Sequence, residues 1–314
     1  MTIIRRLHPI LAGALLASGL VALAPVAPAM ATPGDPTESV AIVVNGQGSG
    51  HGRGLSQYGA LGWAIGRGDG VARDYTWILD HYYSDTVMGS AAEGQRITVR
   101  MLSYDAAAQV SMVAANGNAQ WSLNGVAQPG SYASLVVRRS GGAEAFDVWG
   151  NASMSCPSAS DPLSGWSYLG QASGPRSSAI VGFAVPDGDV PGTAAANTLG
   201  LCGSTGEVTH YRGKFFSTFN SEGAVRLVND VEVESYLRGV VPRESPALWG
   251  DWGYGLGINA LRAQAVAARS YALAQNRYSP YAKTCDTDSC QVYGGAASRT
   301  SVGAAAINKE HANT

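Results

Sequence analysis

The chain has 314 residues, of which 46% are hydrophobic and only 14% are charged. This is enough apolar sequence for the core of one large domain or two ordinary ones, and it excludes that the chain as a whole is a disordered protein. The formal net charge of −2 leaves no excess of Lys and Arg for a phosphate backbone, so nucleic acid is not expected as a partner.

The N-terminal segment, residues 1–31, has the three parts of a secretory signal peptide. Two arginines precede an apolar stretch at residues 10–23, and an Ala-Met-Ala sequence at 29–31 is typical of a cleavage site. The alternative is an uncleaved membrane anchor, but two prolines interrupt the apolar run before the roughly 20 residues that a membrane span needs. We therefore predict that residues 1–31 are removed and that the mature chain is secreted, extracytoplasmic or in the cell wall, with no transmembrane span.

Residues 32–94 begin with a lead-in rich in Pro, Gly and Thr, followed by a short predicted strand at 40–44. A glycine-rich loop then leads into a predicted helix at residues 55–64. Asp74 has the features of an N-cap, because apolar residues follow it at the i, i+3, i+4 and i+7 positions of a second helix. Two helices are therefore expected in this segment.

The pattern changes in residues 95–205 to short alternating segments separated by Asn-Gly, Pro-Gly and Gly-Gly turns. This pattern predicts a β-rich module. No acids, histidines or thiols are gathered in it at a spacing suited to chemistry, so it is interpreted as a scaffold or as an inserted binding module.

Residues 206–314 contain further strands and the longest predicted helix, at about 258–276. One face of this helix is formed by Leu261, Ala265, Ala268 and Ala272. Alanines allow close approach of another backbone, so we expect the helix to be buried against a sheet. The predicted fold class is α+β: a β-rich body, a long alanine-lined helix packed on the sheet, and an inserted β module.

Export makes the four cysteines candidates for disulfides, with three possible connectivities. Pairing of chain neighbours favours Cys156–Cys202 and Cys285–Cys290. The alternative for the second pair is zinc bound by two thiolates, but no histidine nearby has ligand spacing. Two aspartates beside this pair lack the glycine and closing glutamate of a calcium loop. We predict the two disulfides and neither a metal nor a cofactor.

A first candidate site segment is residues 50–60, where alternate glycines allow a ligand to approach the main chain. His51, Ser56 and Gln57 supply hydrogen-bonding groups. The alternative is a glycine-rich turn in which Ser56 only caps the next helix. A phosphate-binding loop is not expected, because the Gly-Lys-Ser/Thr ending is missing.

A second candidate segment surrounds Glu244. Ser245 followed by Pro246 predicts the N-cap and first residue of a short helix, which would place Glu244 between an apolar strand and Trp249. A carboxyl in such a half-apolar environment can have a raised pKa and act as a general acid near neutral pH. The alternative is a glutamate that interacts with the helix dipole or with Arg243.

Together with the helix segment 260–273 and the polar loop 286–295, these two segments resemble the SpoIID/LytB family of cell-wall proteins. The resemblance covers roughly residues 40–90 and 206–306. Combined with the signal peptide at 1–31 and the β-rich pattern at 95–205, it implies a His-Gly segment completing the core at 32–94, an insert at 95–205 and a SpoIID/LytB core at 206–314. Members of this family normally continue through further strands, so the core is expected to be truncated at Thr314.

The resemblance implies a lytic transglycosylase that cuts peptidoglycan glycan strands, preferentially strands without stem peptides, in cell-wall remodelling such as sporulation. Val-Val-Pro-Arg-Glu-Ser-Pro matches the family's Val-Val-Pro-x-Glu-Met-Pro motif, which makes Glu244 the implied catalytic acid. Ser245 departs from the motif and removes an apolar neighbour. One carboxyl suffices because the attacking hydroxyl belongs to the substrate.

The resemblance also implies a set of residues that line the glycan groove: His51, Ser56, Gln57, Gln264, Arg269, Tyr271, Gln291 and Tyr293. Core packing would explain the two tyrosines equally well. The implied partner is the glycan strand, with no cofactor. The alternative function is a non-catalytic, wall-binding enhancer of an N-acetylmuramoyl-L-alanine amidase.

Overall fold

The computed structural model describes residues 54–141, 144–175, 180–189, 197–299 and 307–308, all within the unit His51–Thr314. The predicted signal peptide, the predicted strand at 40–44 and His51 lie outside the described residues.

The described chain contains helices and strands in both of its halves. The helices are α1 (Gln57–Ala64), α2 (Tyr75–Tyr82), α3 (Val233–Glu244) and α4 (Ile258–Ala274), with 3₁₀ helices at Leu102–Tyr104 and Ala247–Asp251. The strands are β1 (Arg96–Arg100), β2 (Gln109–Ala114), β3 (Gln120–Leu123), β4 (Val126–Ala127), β5 (Ser134–Arg139), β6 (Ala145–Asn151), β7 (Ser167–Ser173), β8 (Val181–Ala184), β9 (Leu199–Cys202), β10 (Val208–Tyr211), β11 (Lys214–Phe219), β12 (Val225–Glu232), β13 (Thr284–Cys285), β14 (Ala297–Arg299) and β15 (Ile307–Asn308).

The strands form two sheets. Their orders are β13-β1-β12-β11-β8-β3-β4 and β15-β14-β10-β9-β2-β5-β6-β7. Antiparallel pairs join β1 to β12, β8 to β11 and β9 to β10, so residues 95–205 share both sheets with the strands that follow. The mixture of these sheets with the helices confirms the α+β class, and the domain limits at 94/95 and 205/206 stay predictions.

Buried side chains form two clusters. The larger one joins strand residues of the sheets with Tyr236, Leu237 and Val240 of α3. The smaller one joins α1, α2, Trp249 and the first half of α4. The site described below lies on elements of both clusters, because α1 belongs to one and α3 to the other.

Helix α4 begins at Ile258 as predicted and ends at Ala274, two residues earlier than expected. The predicted apolar face is buried throughout. Its neighbours include α1, α2 and α3, and it reaches the core shared with the strands through Ala268 and Ala272. The alanines therefore let other helices approach closely, and the helix joins the buried cluster that contains the strand residues through its second half.

The segment before Glu244 differs from the prediction. Strand β12 passes directly into α3, because the Glu232 carboxylate accepts hydrogen bonds from the N–H groups of Glu234 (2.8 Å) and Ser235 (3.0 Å) and so caps the helix. The prediction that Ser245 is an N-cap was wrong: its N–H donates to the Val241 carbonyl and it is the C-cap of α3. Glu244 is therefore the last residue of a helix.

The geometry fits both predicted disulfides. The Cα–Cα distances are 5.6 Å for Cys156–Cys202 and 5.5 Å for Cys285–Cys290. The first bridge tethers a 46-residue separation and the second a separation of 5 residues. The second bridge therefore constrains the short loop that precedes the site segment 291–293.

Candidate functional site

The Glu244 carboxyl is held by groups from two distant parts of the chain. Gln57 Nε2 donates to Oε2 at 3.0 Å across 187 residues, and the Val292 N–H donates to Oε1 at 3.0 Å. The Glu244 side chain is half-buried, so solvent still reaches it. Three of the four segments singled out in the sequence therefore meet at this carboxyl.

Gln57 is positioned by the start of α1. The Ser56 hydroxyl accepts a hydrogen bond from the Gly59 N–H at 3.1 Å and caps the helix. The Tyr83 hydroxyl accepts one from the Leu55 N–H at 3.0 Å and holds the preceding turn. The contacts of Ser56 are those of a helix cap, which was one of its two interpretations. This cap fixes the start of α1 and therefore the direction of the Gln57 side chain.

The segment 291–293 reaches Glu244 with its main chain. Gln291 and Tyr293 are buried, whereas Val292 between them is exposed. The Tyr293 hydroxyl donates to Asn229 Oδ1 at 2.9 Å, and Gln291 Oε1 accepts from the Tyr236 hydroxyl at 3.2 Å. These two predicted groove residues therefore anchor the segment from inside, and the Val292 N–H between them faces the carboxyl.

Tyr236 forms the buried side of the site. Burial raises the pKa of Tyr236 well above its ordinary value, and the negative charge of the Glu244 carboxylate acts in the same direction. Its phenol therefore stays protonated and serves as the donor to Gln291. Tyr271 lies on α4 and is partly exposed.

Arg269 has a partner within the protein. Its guanidinium makes a bidentate pair with Glu234, at 2.9 Å from Nε to Oε1 and 2.6 Å from a terminal nitrogen to Oε2. This pair ties α4 to α3 on the surface. Gln264 lies on α4 and is buried. Binding of glycan by Arg269, Gln264 or Tyr271 stays a prediction, and His51 lies outside the described residues.

Neither a metal centre nor a membrane span is found in the described ranges. Among those residues, no group of three or more His, Cys, Asp or Glu side chains could hold a metal ion. None of their helices combines the length and the apolarity needed to cross a bilayer.

Sequence reasoning missed three features of the site. The Val292 donor is a main-chain group, and no residue type signals it. Glu234 was not recognised as the partner of Arg269. The ring of Tyr58, next to Gln57, contacts Trp249 with 4.9 Å between centroids, beside a loop of exposed aromatic residues. The alternation of aromatic residues and glycines at 249–257 was an available signal for that loop.

Comparison with known proteins bears on the second half of the chain. Residues 221–313 match the family model described as SpoIID, Stage II sporulation protein. The match includes Glu244, α4 and the segment 286–295, whereas Gln57 lies outside it. No curated protein and no solved structure matches the chain significantly.

Proposed function

We propose that this chain, which belongs to the SpoIID family through residues 221–313, is an exported lytic transglycosylase of peptidoglycan. The family assignment indicates a protein of sporulation or cell-wall processes. The observation that carries the finer proposal is the Glu244 carboxyl, which is half-buried, accessible to solvent and held at both oxygens by groups from separate segments.

In the proposed reaction Glu244 acts twice. As a carboxylic acid it donates its proton to the oxygen that links N-acetylmuramic acid to N-acetylglucosamine, and the bond from muramoyl C1 to this oxygen breaks. The muramoyl 6-hydroxyl then bonds to C1, and the Glu244 carboxylate accepts the hydroxyl proton. The products are a 1,6-anhydro-muramoyl end and a free N-acetylglucosamine end, and the acid is regenerated.

The two hydrogen bonds suggest different roles for the two oxygens. The Val292 N–H belongs to a main chain that buried side chains anchor on both sides, so its hydrogen bond to Oε1 should persist when a glycan binds. Gln57 holds Oε2 through the end of a rotatable side chain. A glycan can displace the Gln57 amide more readily than the main chain, so we assign Oε2 as the oxygen that transfers the proton.

The test uses glycan strands without stem peptides and mass spectrometry of anhydro-muramoyl ends. We expect Glu244→Gln to lower the rate by at least about 100-fold, the usual contribution of a general acid. Glu222→Gln, in an exposed turn of the same family region, is the matched control and should retain activity. Thermal unfolding of each variant verifies that it is folded. Equal product from wild type and Glu244→Gln would remove Glu244 from the mechanism.

The second candidate is the non-catalytic amidase enhancer. It is favoured by the same two hydrogen bonds, because they tie three segments together, and this structural role needs no proton transfer by Glu244. Two results together would establish this alternative over cleavage. The folded wild-type chain produces no anhydro ends, and wild type and Glu244→Gln stimulate an N-acetylmuramoyl-L-alanine amidase equally.

A further inference from the structure

The loop that follows Glu244 exposes several large apolar side chains. This aromatic loop, residues 247–256, contains the 3₁₀ helix and a glycine-rich turn, and its exposed apolar residues are Leu248, Trp252, Tyr254 and Leu256. A single exposed apolar residue is ordinary for a surface. Four of them in one short loop, with exposed Tyr58 beside it, are typical of a binding surface.

Tyr254 has a backbone conformation that its side chain does not favour. Its φ is +59°, between Gly253 at +62° and Gly255 at +90°. A residue other than glycine in this region costs about 1–2 kcal/mol. The Tyr254 side chain is fully exposed, at 106% of the reference accessibility, so burial does not offset this cost. Stability alone would favour Gly or Asn here, which points to a function for the ring.

The aromatic loop follows α1 away from Glu244. At the start of α1, Tyr58 contacts Trp249 of the loop, next to the Gln57 that binds Glu244. At the other end, a Cβ atom on Gly253 would lie only 2.7 Å from Cγ2 of Ile65, the C-cap of α1. Helix α1 has eight residues and is therefore about 12 Å long. The loop thus extends from the site by roughly the length of two or three linked pyranose rings.

We propose that the aromatic loop, together with Tyr58, binds the sugar rings that continue the glycan strand to one side of the bond placed at Glu244. For its ligand this inference rests on the proposed function. A pyranose presents a face of C–H groups that packs on an aromatic ring while its hydroxyls stay in water. Residues 54–66 and 245–257 contain a single charged residue, Asp251, so these two segments themselves supply no cation for an anionic polymer or lipid.

The test measures binding separately from cleavage. The Glu244→Gln chain prevents consumption of the ligand, and calorimetry compares peptide-free peptidoglycan oligosaccharides of about four and about eight sugars. Adding Tyr254→Asn should weaken binding of the longer one about five- to tenfold and leave the shorter one nearly unchanged, a loss in the range of one aromatic contact. Asn tolerates positive φ, so the loop should keep its shape. Tyr254→Phe should bind as Tyr254 does.

The matched control is Tyr168→Asn, which removes an exposed tyrosine from β7 in the eight-stranded sheet. It should bind both oligosaccharides normally. The inference is overturned if Tyr254→Asn binds both lengths as tightly as its parent, or if the parent binds neither. It is also overturned if the substitution abolishes binding to phosphatidylcholine vesicles without affecting glycan. Length-dependent binding without cleavage by the wild type would refute the transglycosylase proposal and leave this one standing.

Discussion

Gly239 lies in the middle of α3, about one and a half turns before the end of the helix, where a larger residue would meet the core. An ideal Cβ atom there would be 2.6 Å from Cε2 and 3.0 Å from Cδ2 of Tyr293, and 3.2 Å from the Gly295 carbonyl oxygen. The Tyr293 ring has little room to move, because it packs on Tyr236 with 4.9 Å between centroids and its hydroxyl donates to Asn229. Gly239→Ala therefore forces a rearrangement directly behind the site.

The expected destabilisation follows from a matched pair of substitutions. Gly62 lies in α1, and its added Cβ would meet nothing within 4 Å. Both substitutions gain about 1 kcal/mol of helix propensity, and only Gly239→Ala incurs overpacking of about 1–3 kcal/mol. At about 2–4 °C per kcal/mol for a domain of this size, Gly239→Ala should unfold about 2–12 °C below Gly62→Ala.

Thermal unfolding followed by circular dichroism measures this difference. A second readout is the production of anhydro ends at a temperature where both variants are folded. Displacement of Tyr293 also moves the neighbouring Val292 N–H, so Gly239→Ala should lose activity while Gly62→Ala retains it. If Gly239→Ala unfolds at the same temperature as Gly62→Ala or above it, the packing described for Tyr293 is wrong.

Two further predictions concern stability. Replacing Cys156 and Cys202 with serine should lower the free energy of unfolding by about 4 kcal/mol, and the same change at Cys285 and Cys290 by about 2 kcal/mol. The difference arises because a disulfide removes more conformational entropy from the unfolded chain when it closes a longer loop, and the separations are 46 and 5 residues. Urea titrations that rank the two pairs the other way would contradict this. Burial raises the pKa of Asp286 above 3.8, so the folded chain keeps that proton to higher pH than the unfolded chain, and stability falls as the pH rises from 3.8 through the raised pKa. Asp286→Asn removes this loss, so its stability relative to wild type should increase across that window and then level off, and a pH-independent difference would refute the argument.

Several features were predictable because they depend on neighbours in the sequence. The N-cap at Asp74, the helix beginning at Ile258 and its buried alanine face arise from local capping and periodicity. The cap at the start of α3 was missed, because Glu232 is an unusual capping residue and Pro242 inside the helix favoured a break. In this segment the helix forms directly after strand β12 and continues past Pro242, although a proline locally disfavours a helix interior.

The residues alone were enough to predict the fold class, to favour one pairing of the cysteines and to single out the three segments that meet at Glu244. How these segments meet became visible only in the tertiary structure. There, Gln57 and the Val292 N–H bind the carboxyl. Gln291 and Tyr293 are buried, and Arg269 pairs with Glu234. The physical reason is that residue types set which groups can form hydrogen bonds, whereas partners 187 residues apart are chosen by packing. A main-chain donor such as the Val292 N–H cannot be recognised from the residue type, because every residue except proline has one.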